Sequence, residues 1–161
     1  MKIIKTGFTM IELLVVVSII GLLAALALVS FTSSQKQARD SARKSDTRQY
    51  STSLEGFANK NNSLYPTYSS ASGVQASSST GLCGDLGLTT CPEDPKNISD
   101  SSFYYKYQSD GLTNDGSPTA TRYVIWAELE NSTDYWVVCS NGQIGVQAQS
   151  GFGVSGGTCP L

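Results

Sequence analysis

Hydrophobic positions fall in one dense block near the N-terminus and thin out abruptly after it. From residue 8 to residue 29 the only charged side chain is Glu12. As a helix rising about 1.5 Å per residue, that run is long enough to cross roughly 30 Å of bilayer hydrocarbon. It is also longer than the apolar core of an ordinary secretory signal, and it continues without a break into a polar helical segment. Lys2 and Lys5 precede the block, a bias that keeps this end on the cytoplasmic side. From residue 33 to about residue 61 the chain is polar, rich in helix formers and free of proline. Ala38, Ala42, Tyr50, Leu54, Phe57 and Ala58 predict an intermittent apolar stripe, with Asp40 and Lys44 as an i,i+4 pair on another face. Residues 59–62 and Tyr65-Pro66 predict the helix end, because the residue before a proline avoids the α region.

Beyond the helix the pattern changes twice. Residues 63–100 read as a long loop, and residues 69–80 (SSASGVQASSST) read as surface or flexible chain. Residues 103–107, 123–130, 135–139 and 144–147 are aromatic and β-branched, and turn signals separate them. Ser140-Asn141-Gly142-Gln143 predicts a tight hairpin. Three or four antiparallel strands follow, burying one face against the amphipathic half of the helix: an α+β fold.

With 161 residues the chain supplies one folded domain at most. It contains no histidine, which removes Ser-His-Asp and Cys-His catalysis and His-ligated metals, and points away from an enzyme. A formal net charge of −2, with scattered basic residues, gives no cationic stripe for specific nucleic-acid binding. The basic cluster Lys36, Arg39, Arg43, Lys44 and Arg48 reads as a solvated helix face near the membrane.

The stretch GFTMIELLVVVSIIGLLAAL resembles the N-terminus of type IV pilins and pseudopilins: a short basic leader ending in Gly7, then Phe8, Thr9 and Glu12 in an unbroken apolar run. The resemblance implies cleavage between Gly7 and Phe8 by a prepilin peptidase, N-methylation of Phe8, and pairing of Glu12 with the Phe8 amine of a neighbouring subunit during assembly. That pairing would satisfy an acid that is costly to leave alone in lipid. A Glu12 that merely snorkels to the interface is the plainer alternative, against which the adjoining leader weighs. Gly21 lies where pilins have a Gly bordering a segment that can loosen, although the proline often found about eight residues later is here Val29. Close helix packing is the other role for Gly21. The implied organisation is a leader (1–7), a transmembrane and filament-core helix (8–29), an amphipathic continuation (30–62) and a globular head (63–161).

Cys83, Cys91, Cys139 and Cys159 all lie in the part placed outside the cytoplasm, where an even count favours disulfides. Four cysteines allow three connectivities, and the sequence does not choose among them. Nearest-neighbour pairing is the expectation adopted, since each bridge closes a loop between turn-rich segments. A Cys139–Cys159 bridge also resembles the bracket that ties the C-terminal loop to the sheet in pilins. Residues 153–157 (GVSGG) match a nucleophile-elbow pattern, but without histidine or a strand-to-helix context they read as a flexible C-terminal loop. Asp110, Asn114 and Asp115 are a weak Ca²⁺ candidate that does not fit an EF-hand; no other metal and no cofactor is expected. Asn61, Asn97 and Asn131 begin N-x-[ST] triplets, which arise easily by chance.

By resemblance, then, the chain is expected to be a non-enzymatic pilin-like subunit. It would start as a single-pass inner-membrane protein with its head outside the cytoplasm and end in an extracellular pilus or an envelope-spanning pseudopilus. The implied partners are further copies in a homo-oligomeric filament, other pilins, the peptidase, and an assembly ATPase acting through a membrane platform protein. The rival readings are a pseudopilin or minor pilin of a secretion or competence system, and an uncleaved membrane-anchored binding domain.

Overall fold

In the computed structural model, which describes residues 7–161 (for residues 27–30 the backbone alone), the first element is the helix α1, Met10–Lys60. The leader lysines Lys2 and Lys5 lie outside the described residues. By contacts the chain divides between Lys36 and Gln37 into an N-terminal helical unit and a head, Gln37–Leu161. α1 stops where Asn62 and Ser63 both turn to the left-handed region, at φ 56° and 64°. The Ser63 amide donates to the Ala58 carbonyl and the Asn61 side-chain amide to the Phe57 carbonyl, so two of the carbonyls in the last turn of the helix are used.

The head holds seven strands: β1 (Tyr65–Pro66), β2 (Val74–Gln75), β3 (Lys106–Ser109), β4 (Pro118–Ala120), β5 (Tyr123–Glu128), β6 (Asp134–Cys139) and β7 (Ile144–Ala148). β1 and β4 form a two-stranded ribbon, and the others form an antiparallel sheet ordered β2-β3-β5-β6-β7. A short helix, α2 (Leu82–Asp85), lies in the loop between β2 and β3. The architecture is α+β, one long helix with a small antiparallel sheet. The β6–β7 hairpin turns at Asn141-Gly142, where Gly142 has φ 84° and the Gly142 amide donates to the Cys139 carbonyl.

Several sequence expectations are corrected here. The strand expected over 103–107 begins only at Lys106, because Phe103 is engaged elsewhere: its carbonyl accepts the Asn97 amide and its ring lies under Arg43. The strand expected to reach residue 130 stops at Glu128, since the Glu130 amide donates instead to Asp40. The supposed loop over 63–100 adds β1 and β2. Within its Ser-rich part, Val74 and Gln75 pair with Tyr107 and Lys106, while Ala76 is fully buried. Both faces of the sheet carry packed elements, although Ile144 and Val146 of β7 stay partly exposed. Tyr107, Tyr123 and Ile125 face α1 with Tyr50 and Leu54, whereas Val124, Trp126 and Val137 face the C-terminal loop.

That loop is therefore packed and not flexible. Phe152 sits against Trp126 and Tyr135 at ring distances of 5.6 and 4.5 Å, and Val154 is buried. A disulfide joins Cys139 to Cys159 and so ties the loop to β6; a second joins Cys83 to Cys91 across the α2 loop. Such closures typically add about 2 to 4 kcal/mol.

The core between α1 and the sheet is built on tyrosines. Tyr50, Tyr105, Tyr107 and Tyr123 are fully buried, and each hydroxyl is satisfied: Tyr50 donates to the Pro92 carbonyl, Tyr105 to Asp46 and Tyr107 to the Pro66 carbonyl, while Tyr123 shares a hydrogen bond with Ser51. Burial keeps the phenols protonated; it pushes Tyr65, with help from Glu55, up to about 12.

The buried face of α1 departs most from expectation. Ala38 is exposed, and the stripe is continued toward the N-terminus by Asp40, Arg43 and Thr47. Of the basic cluster, Lys36 and Arg48 are exposed and Arg39 and Lys44 partly so, but Arg43 departs from a solvated face and is completely buried. It forms two hydrogen bonds with Asp94 (2.6 and 2.8 Å), one with Asp40 (2.7 Å) and an ion pair with Glu130 (2.8 Å). Arg39 adds two hydrogen bonds to Glu130, both 2.7 Å. Asp40 therefore pairs with Arg43 and not with Lys44, and its carboxylate also accepts the amides of Glu130 and Asn131. Lys44 and Arg48 lie over the Trp136 ring, 4.9 and 5.7 Å from its centroid. Hydrogen bonds to the surrounding carboxylates, above all Asp94, outweigh burial and raise the Arg43 pKa.

Two predictions follow from this network. Arg43→Ala strands buried carboxylates and is expected to cost about 3 to 5 kcal/mol in denaturant unfolding of the detergent-solubilised chain; a cost below about 1 kcal/mol would show that the network is dispensable. Hydrogen bonds from Arg39, reinforced by Arg43, lower Glu130 from 4.5 to about 2. A depressed carboxylate contributes its stability above the unfolded pKa and loses it as pH falls through the folded one. Unfolding midpoints should therefore drop between about pH 4.5 and 2, and Glu130→Gln should flatten that part of the profile.

Candidate functional site

The N-terminal segment presents the residues singled out by the sequence in one short stretch. Gly7 and Phe8 precede the helix, and Phe8 is 79% exposed. Thr9 is the residue before the first helical position, and it forms a reciprocal cap with Glu12. The Thr9 amide and hydroxyl donate to Glu12 Oε2 at 2.9 and 2.7 Å, while the Glu12 amide donates to Thr9 Oγ1 at 3.3 Å. This is a capping box, which satisfies amides that open the helix and places a carboxylate at its positive end. The T-x-x-E spacing announces it, although attention to Glu12 as an isolated acid passes over Thr9.

Phe8, Ile11, Glu12, Val15 and Val16 line a shallow hollow of ≈300 Å³ whose single charge is the Glu12 carboxylate. Every side chain from residue 7 to residue 26 is exposed. A helix apolar all round lacks a polar face for water and is suited to lipid or to other helices. α1 is the one helix among the described residues long and apolar enough to cross a membrane, and it fits single-pass anchoring. The helix continues through Gly21, where an added Cβ would meet nothing within 4 Å.

The structure does not assemble the remaining candidates into a site. Asp110 accepts hydrogen bonds from the amides of Thr121 and Arg122 and from the Thr121 hydroxyl. Asp115 accepts from Thr113 and Ser117, and Asn114 from the amides of Ser69 and Ser70. Asp115 thus serves its own turn while Asp110 and Asn114 tie the loop to neighbouring segments, and no group of three or more His, Cys, Asp or Glu arranged to hold a metal occurs among the described residues. Ser155 is exposed in the C-terminal loop, and no strand-to-helix elbow surrounds it. Gly157, at φ 64°, lies against the Arg122 carbonyl, where a side chain would collide. The amides of Asn61 and Asn97 are spent on the carbonyls of Phe57 and Phe103.

Comparison with known proteins bears on this same segment. Residues 5–28 match the family model described as the prokaryotic N-terminal methylation motif, the class III signal segment of type IV pilins. No curated protein and no solved structure matches the chain at a significant level.

The cap is open to test. Thr9→Val keeps the shape but removes the hydroxyl that both donates and accepts. Amide hydrogen exchange over residues 10–13 of the detergent-solubilised chain should quicken several-fold, and unchanged exchange would mean that the box does not hold the first turn.

Proposed function

We propose that this chain is a type IV pilin-like structural subunit, cleaved between Gly7 and Phe8, N-methylated at Phe8 and polymerised into an extracellular filament. The observation that carries the reading is one continuous helix with the methylation motif at its start, an exposed apolar stretch behind it and a disulfide-bonded head at its end. Before assembly the apolar stretch is held in lipid. In the filament it exchanges lipid for neighbouring helices, so it never meets water and the transfer requires no loss of apolar burial.

Peptide-bond hydrolysis after Gly7 frees an ammonium on Phe8, one residue before the cap. Glu12 then has a cation partner available, and a Phe8 ammonium from the next subunit would occupy the carboxylate that Thr9 holds in the single chain. This exchange sets an axial step, because a buried acid accepts a new register only where a cation follows it. The peptidase, other pilins, an assembly ATPase and a membrane platform protein are the partners this scheme requires. Catalysis has no place in it.

Glu12→Ala should leave cleavage largely intact and abolish filaments. Intact masses of membrane and sheared surface fractions decide this. The parent is expected as a methylated chain beginning at Phe8 in both fractions, and the variant as a processed chain in membranes only. A parent beginning at Met1 and confined to membranes would identify an anchored binding domain. Abundant normal filaments from the variant would remove Glu12 from the assembly step.

A further inference from the structure

The triplets that begin at Asn61, Asn97 and Asn131 share one chemical option, attachment of a sugar to the asparagine side-chain nitrogen, and the fold separates them. A carboxamide nitrogen is a poor nucleophile while its lone pair is shared with the carbonyl, so an acceptor must be free to turn about its own bonds. Asn61 is half-buried at the end of α1, and its amide donates to the Phe57 carbonyl at 2.9 Å. The Asn97 amide donates to the Phe103 carbonyl at 2.8 Å. A sugar on either nitrogen would crowd the carbonyl that it touches.

Asn131 differs in both respects. With Ser132 and Thr133 it forms the tip of the turn between β5 and β6, and all three residues are exposed. Neither the Asn131 carboxamide nor the Thr133 hydroxyl makes a hydrogen bond to any described residue. The turn is nevertheless held at its base. The Leu129 amide donates to the Asp134 carbonyl at 3.0 Å, and Asp40 accepts the backbone amides of Glu130 and Asn131 at 2.9 and 3.0 Å. Through Asp40 the acceptor backbone is tied to Arg43, while the acceptor side chain stands free in water.

The surface beside Asn131 suits a sugar as well. Asn131, Ser132, Asp134, Lys44, Leu129 and Val146 line a hollow of ≈390 Å³. A pyranose ring has hydroxyl edges and faces of C–H groups. Charged and hydroxyl side chains in the hollow answer the first, and Val146, left 49% exposed on the α1 side of the sheet, answers the second.

We propose that Asn131 is a site of N-linked glycosylation, with an oligosaccharide carried on a membrane lipid phosphate as the donor. In the transfer Asn131 Nδ2 bonds to the anomeric carbon of the first sugar, and the bond from that carbon to the phosphate oxygen breaks. Its electron pair leaves with the lipid phosphate, one Nδ2 proton is released, and nothing is oxidised or reduced. Thr133 supplies the hydroxyl that the transferase reads two residues beyond the acceptor. This inference rests on the part of the filament reading that puts the head outside the cytoplasm, where such transfer takes place.

The test uses the full chain taken from the membranes of its own cells. Trypsin releases residues 123–161 as one peptide, since no Lys or Arg follows Arg122, and Asn131 begins its single N-x-[ST] triplet. After reduction its mass should exceed that of the bare sequence by one or more sugar residues. Asn131→Gln and Thr133→Ala should each lose that addition, and Thr133→Ser, which keeps the hydroxyl, should retain it. Both side chains are exposed and outside the Arg43 network, so the fold is undisturbed. An addition that survives Asn131→Gln, or a bare peptide from a chain whose four cysteines are oxidised, would overturn the assignment and leave the filament reading standing. A bare peptide from a chain with free thiols would put the head in the cytoplasm and overturn both.

Discussion

The head depends on one buried cation. Arg43 binds Asp40 on its own helix, Asp94 in the loop after α2 and Glu130 in the turn after β5. Three segments distant in sequence are joined at a single guanidinium whose planar donors match carboxylates at fixed angles. Removing any partner would leave charge in a place water cannot reach, so the arrangement is held in common by all of its members. Asp40 extends it by taking the backbone amides of Glu130 and Asn131, which ends β5 and aims the following turn.

The tyrosine layer lies beyond this network. Rings of Tyr65, Tyr107 and Tyr123 pack at 4.8 and 5.8 Å, and their hydroxyls find carbonyls or carboxylates at the core's edge. A core of this kind orients itself, since each ring has one correct end. With the Cys139–Cys159 bridge it lets a small sheet be packed on its two faces by elements of very different kind: a helix and a glycine-rich loop.

The N-terminal unit obeys other physics. Its described apolar side chains are exposed, and a capping box at Thr9 and Glu12 orders its first turn. A lone acid at a helix start is stable there for local reasons, through amides and the helix dipole. The same carboxylate is what an incoming cation would address. On the proposed assembly, local stability and intermolecular chemistry would meet in one side chain, whereas Arg43 in the head is paired within its own chain.

The sequence by itself determined whatever depends on near neighbours: the apolar helix and its motif, the helix stop at residues 59–62, the Asn141-Gly142 hairpin and the helix-plus-sheet class. Thr9 and Glu12 belong here too, since three residues of spacing state their cap. Only the tertiary structure decided the rest. Arg43, Arg48 and Lys44 look alike in a basic run, and burial separates them because Asp94 and Glu130 arrive from 51 and 87 residues away to meet Arg43. The Ser-rich segment holding Val74 and the GVSGG tail have no periodicity of their own; the edge of β3 and the rings of Trp126 and Tyr135 give them their places. Periodicity reports which side of an element is apolar, and it carries no information about a charge that becomes buriable only when its partners are brought together from elsewhere in the chain.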